Sequence, residues 1–168
     1  MNKIKLVFAS LAIAAFLATA APAQTLSGQF RDTGGRAVGV DQLRGRVVVL
    51  FFGGTIDPQS PEELPVIQRL ASRYAGRGVD VYWVSLDEAS VSDAQLAAYA
   101  VKYGYSGSIL RDPSGAVLKT VATGRRHQLP TVVVLDSTGA ISGRPVAGFD
   151  PQSDLVNKLA AVIDPLLK

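Results

Sequence analysis

Arg46-Val47-Val48-Val49-Leu50-Phe51-Phe52-Gly53-Gly54-Thr55-Ile56-Asp57-Pro58-Gln59-Ser60 is the stretch from which the architecture can be read. Its first half is a continuous apolar run closed by two glycines. A run without polar alternation reads as a strand buried on both faces, hence a central one. Its second half changes character at Asp57-Pro58, a favoured N-cap followed by a residue favoured at the first helical position. Beyond it, Leu64, Ile67, Leu70, Ala71 and Tyr74 recur at helical spacing, predicting a helix over about 58–74 with Pro65 inside it as a kink. A second register is open, with Ser60 as the cap, Pro61 behind it and Glu63 closing a capping box.

Working outward, Leu26–Arg31 reads as a short strand ended by Gly34-Gly35, and Val79–Leu86 as a second buried strand after Gly76 and Gly78. Ser92 with Gln95 has the spacing of a capping box and opens a helix to about Tyr103. Asp112-Pro113-Ser114-Gly115 reads as a turn with a short helix to about Val121. Thr131–Leu135 and Ala140–Val146 flank Asp136-Ser137-Thr138-Gly139 as a hairpin. Asp150-Pro151 reads as the start of a final helix carrying Leu155, Leu159, Val162 and Ile163 on one face. Strands separated by helices imply parallel pairing through right-handed crossovers, and the late hairpin adds antiparallel strands. The predicted class is α/β, a mixed central β-sheet with helices on both faces.

Composition narrows the chemistry. The 168 residues are 48% hydrophobic, enough for a core, and include no cysteine. Disulfides, thiolate-bound metals, iron–sulfur clusters and thiol catalysis are therefore excluded. One histidine, His127, cannot build a multi-histidine metal site, and no cofactor or metal is expected. The chain starts Met1-Asn2-Lys3-Ile4-Lys5, continues with an apolar run over 6–20, and reaches Ala21-Pro22-Ala23 before Gln24. A basic start, a short apolar run and an Ala-x-Ala step form a secretory signal peptide over 1–23, cleaved near Ala23, with one domain over 24–168. The product would be periplasmic or secreted, touching the membrane only through that transient segment. Losing Lys3 and Lys5 lowers the net charge from +3 to +1, which gives no electrostatic case for nucleic acid.

Three pieces of this sequence, in order, resemble the thioredoxin-like superfamily, in its TlpA/ResA-like branch related to the AhpC/TSA redoxins. Residues 40–52 resemble that branch's "L-x-G-K-x-V-V-L-x-F-W" strand, Glu63-Leu64-Pro65 its "E-L-P", and Gln128-Leu129-Pro130-Thr131 with Val132–Asp136 its "G-x-P-T-x-x-x-I-D". The resemblance covers about 27–167. It implies a thioredoxin-like fold, a cis peptide at Pro130 facing the active site, and thiol–disulfide chemistry connected with envelope redox control or cytochrome c maturation. This chain departs at the centre. Where the branch has Trp-Cys-x-x-Cys, it has Ile56-Asp57-Pro58-Gln59-Ser60, with Gly53-Gly54 where Trp-Ala is usual. A hydroxyl cannot cycle through a disulfide, so no catalytic residue is assigned and Asp57 and Ser60 are the degenerate motif positions.

What remains is a face. By the resemblance, the surface beside the cis-proline pairs with an extended backbone, a form of strand addition that needs no sulfur. Asp57, Pro58, Gln59, Ser60, Arg126, His127, Leu129 and Pro130 are the candidate binding residues, and an envelope protein or peptide the expected partner. Arg125, Arg126 and His127 form a small basic cluster, either a solvated loop or a receiver of an acidic group. Ser60, His127 and Asp57 could be imagined as a hydrolytic set, but their order and spacing match no hydrolase motif. Asp-Pro-Gln-Ser recurs at 150–153, where a helix is also predicted, which favours reading Asp57 as a helix starter. Glu63 reads as a first-turn acid, and Trp83 as core. Oligomeric state is not encoded in any motif.

Overall fold

The computed structural model of the chain describes residues 24–121, 128–148, 150 and 153–167. Strand β3 (Val47–Gly53) is buried at every position, as its unbroken apolar run requires. Around it lie β1 (Gln29–Asp32), β2 (Ala37–Gly39), β4 (Val79–Ser85), β5 (Ser108–Arg111), β6 (Thr131–Leu135) and β7 (Ile141–Ala147), in one sheet ordered β2-β1-β5-β4-β3-β6-β7. The pairs β3–β4 and β4–β5 are parallel, and the remaining neighbours are antiparallel. The parallel register sets Val47 beside Val79 and Phe51 beside Trp83.

Alternation along β3 divides the core. Val47, Val49 and Phe51 face one cluster, filled by Leu64, Ile67 and Leu70 of α1 (Ser60–Arg73), Leu96 and Ala100 of α2 (Asp93–Lys102), and Leu155, Leu159 and Ile163 of α3 (Leu155–Ile163). Val48, Leu50 and Phe52 face a second cluster with Phe30, Val133 and the short 3-10 turns 40–43 and 118–120, which supply Leu43 and Leu118. The helical cover is thus α-helical on one face and made of single 3-10 turns on the other. Two crossovers of one hand, stepping β3→β4→β5 in one direction, place α1 and α2 on the same side.

Several boundaries differ from the sequence reading. The first strand is a hairpin, β1 with β2, turned at Thr33-Gly34-Gly35, where Gly35 adopts φ +84°. Strand β5 was not predicted at all; it is four residues long and ends on a charged residue, Arg111, that only tertiary partners make burial-compatible. Ser92 and Gln95 form the capping box reciprocally, each side chain meeting the other's backbone N–H. The last helix does not open at Asp150-Pro151. It opens at Leu155, where Asp154 accepts the Asn157 N–H at 3.2 Å, while the Asp150 carbonyl closes a turn with the Ser153 N–H. A better-placed acid three residues ahead of Asn157 takes the capping role.

Candidate functional site

The end of β3 runs into a tight loop. The Asp57 N–H donates to the Gly54 carbonyl at 3.1 Å, and the Ser60 N–H donates to the Asp57 carbonyl at 3.1 Å. Asp57 Oδ1 accepts the Gln59 N–H at 3.0 Å. This is an Asx turn ahead of the helix rather than an N-cap, because Pro58 and Gln59 complete one more turn before α1 begins. Gln59 holds the cap position itself, without a side-chain cap bond. The register with Ser60 as cap also fails. Ser60 is the first helical residue, fully buried, and its hydroxyl donates to the Gly54 carbonyl at 2.6 Å. The hydroxyl is thereby occupied, which removes the nucleophile from a Ser60–His127–Asp57 arrangement. His127, Arg126 and Arg125 lie outside the described residues.

The loop is braced from the next strand. Asp87, after β4, accepts the Thr55 N–H at 3.0 Å with each carboxylate oxygen, the Thr55 hydroxyl at 2.6 Å and the Ser85 hydroxyl at 2.8 Å. Asp87 is in turn held from below. Arg111 is 3% exposed and donates to the Asp87 and Glu88 carbonyls and to Asp93 Oδ1, with Arg31 making a second, two-pronged contact to Asp93. Three donors converge on one carboxylate, and a buried guanidinium fixes the loop that carries it.

Behind the loop sits Glu63. It is fully buried, and neither of its oxygens has a hydrogen-bond partner. Burial first, and the charge of Asp57 second, push its carboxyl from 4.5 up to about 8. Trp83 Nε1 beside it is also unpartnered. Gly53 makes room for both: a Cβ there would stand 3.3 Å from Glu63 Oε2 and 3.5 Å from Trp83 Nε1. Glu63 is in the first turn of α1, as the sequence reading has it, but that turn faces inward. The signal for this was the pair of glycines at 53–54, read only as a missing motif.

Between these parts opens a cavity of about 380 Å³, lined by Gly54, Ile56, Asp57, Pro58, Leu86, Asp87 and Leu129. Of the predicted binding residues, Asp57, Pro58 and Leu129 line it. Gln59 is half-buried at the helix start, while Ser60 and Pro130 are buried. The Leu129–Pro130 peptide bond is cis. Ile56, 90% exposed, stands at the rim, a large apolar side chain that folding leaves in water. Leu86, Asp87 and Ile56 were not singled out from the sequence.

The family model of the AhpC/TSA family matches residues 17–144. The chain belongs to the AhpC/TSA family. Among curated AhpC/TSA-like relatives, the thiol-disulfide oxidoreductase ResA of Halalkalibacterium halodurans is 27% identical over 142 residues, covering 84% of this chain and 76% of the relative. Two solved structures share the fold. A thiol:disulfide interchange protein of the thioredoxin family from Chlorobium tepidum TLS superposes with a TM-score of 0.68 at 20% identity, over 90% of this chain and 100% of its own. A secreted Mycobacterium tuberculosis disulfide oxidoreductase homologous to E. coli DsbE gives 0.61 at 18% identity, over 80% and 96%. The fold is thus thioredoxin-like, and this family member carries no cysteine anywhere in its sequence.

Proposed function

We infer that this chain is a redox-silent member of its family that acts as a protein- or peptide-binding module in the bacterial envelope. The observation that carries the reading is the pairing of a lost reaction with a kept face. Asp57 and Ser60 stand in the motif where relatives need sulfur, yet the loop around them remains braced by Asp87 and opens on a cavity rimmed by exposed Ile56. An exposed apolar rim beside an extended segment suits a partner laid across it as a strand. Asp57 and Pro58 would form one side and Leu129 the other. Envelope placement is supported by the basic start, apolar run and Ala-x-Ala step of residues 1–23, and by a fold relative described as secreted. Among the described residues, no helix is long and apolar enough to cross a membrane.

Affinity capture from an envelope extract with the parent protein and with Leu129→Asp tests the reading. The variant is expected to lose partners that the parent retains, and identical captured sets would refute the groove. Insulin reduction is expected to show no turnover.

A further inference from the structure

A second cavity, of about 600 Å³, opens away from the motif loop, and no residue lines both. It is a gap in the sheet. Strand β1 pairs with β5 through Arg31 and Asp32 alone, opposite Arg111 and Leu110, and the chain then turns away at Thr33. Backbone groups alternate sides along a strand. The Asp112 N–H donates to the Ser85 carbonyl of β4, so Ile109, three residues earlier, directs its N–H and carbonyl to the other side, where no residue of β1 is paired with it. Tyr105 closes the β4 side, its hydroxyl donating to the Val81 and Ser108 carbonyls. Ala97 and Val101 of α2 form one wall of the gap, and Val38 and Tyr82 the other. Val101 is 67% exposed, and with Ile56 it makes up the large apolar side chains that folding leaves in water among the described residues. Asp32 and Arg36 are the charged side chains that line the gap. Asp32 is saturated: Oδ1 accepts the Gly34 and Arg36 N–H groups, and Oδ2 accepts from Arg36 Nε. Arg36 is not, because its two Nη nitrogens have no partner among the described residues. The polar capacity left at this end of the gap is therefore donor capacity.

We propose that this gap binds the C-terminal residues of an extended polypeptide, whose backbone pairs with Ile109 and whose terminal carboxylate accepts from the Arg36 guanidinium. Three features select that occupant. The free edge of β5 presents backbone groups to a strand, and strand addition satisfies such an edge. The lane beside that edge is a dead end. A strand that enters beside Ser108, running parallel to β5, passes Ile109 and then meets Asp32, which already stands opposite Leu110. What fits is the end of a chain rather than its middle. The charge at the dead end decides which end. A carboxylate meets the free Nη donors of Arg36, in the fork geometry that guanidinium and carboxylate share. An α-ammonium would find both oxygens of Asp32 already engaged. Ala97 and Val101 give the last side chain an apolar wall. The site is independent of the groove at the Asp57 loop.

The test uses one pool of randomised, acetylated heptapeptides in three forms: with a free C-terminal carboxylate, with an amidated C-terminus, and amidated after a final aspartate. Binding is read as retention on the immobilised full chain, with far-UV circular dichroism confirming that each variant is folded. The free-acid pool is expected to be retained about tenfold more strongly than the amidated pool. The aspartate-ended amide is expected to behave like the amidated pool. Arg36→Gln, at an exposed position that keeps a donor for Asp32, is expected to abolish the preference, and Val101→Glu to weaken retention of the free-acid pool. Leu129→Asp, at the other cavity, is expected to leave the preference unchanged. Equal retention of free acid and amide by the parent, retention of neither, or a preference that survives Arg36→Gln overturns the site. An aspartate-ended amide retained as well as the free acid overturns the selection of a chain end. A preference lost in Leu129→Asp places the carboxylate at the mouth and overturns the assignment to this gap.

Discussion

Replacing Glu63 with glutamine changes one proton and little volume, and it isolates the electrostatic cost of the buried acid. Unfolded, the carboxyl titrates near 4.5; folded, it is pushed up to about 8 by desolvation and by Asp57. Between those values the native chain binds one proton more than the unfolded chain, so stability falls as pH rises across the window and levels off above it. At about 1.4 kcal/mol for each pH unit the ceiling on that loss is ~5 kcal/mol, and water entry around an ionised Glu63 reduces it to about 2–4 kcal/mol. Urea unfolding, followed by far-UV circular dichroism from about pH 5 to about pH 9, should show the parent midpoint dropping by roughly 1–2 M across the range. Glu63→Gln should hold a nearly flat midpoint and become the more stable protein at the alkaline end. Trp83, the single tryptophan in the sequence, lies beside the same cradle, so its emission should titrate with the parent and not with the variant. Parallel pH curves for the two proteins, or a parent whose stability rises over this window, would refute the assignment of a neutral buried acid.

Two further outcomes follow from the loop's construction. Arg111→Met removes the donor that holds the Asp87 and Glu88 carbonyls and Asp93, so thermal or urea unfolding should register a loss of about 3 kcal/mol, whereas an unchanged midpoint would mean that these bonds contribute nothing net. Asp57→Cys with Ser60→Cys should yield thiols that a mild oxidant closes and dithiothreitol reopens; thiols that stay titratable after oxidation would show that the motif positions no longer meet disulfide geometry.

The frame was readable where one physical cause dominates a stretch. The unbroken apolar run over 47–52 could only be a central strand, and Ser92 with Gln95 carries its helix start in two side chains, whatever the surroundings. What stayed hidden depends on partners distant in sequence. Strand β5 is too short for periodicity to register, and its Arg111 looks exposed until Asp93 and the carbonyls of 87 and 88 surround it. Glu63 illustrates the same limit at the site. A first-turn acid normally reads as solvated, and only the packing of α1 over Gly53 turns it inward. The Asp57 turn was misplaced by two residues because Asp-Pro begins a turn as readily as a helix, and the choice is made by hydrogen bonds to Gly54 and Gln59 that no pattern of side chains specifies.

The clamp of Asp87 on Thr55 has an evolutionary corollary. Its acceptors reach the loop at a residue outside the Asp-Pro-Gln-Ser tetrad, and its anchor, Arg111, lies on another strand. The clamp therefore braces the mouth alongside, and separately from, the Asp57 and Ser60 side-chain bonds within the tetrad. Substitutions at those four positions leave this brace, made from Thr55, Ser85 and Arg111, chemically untouched.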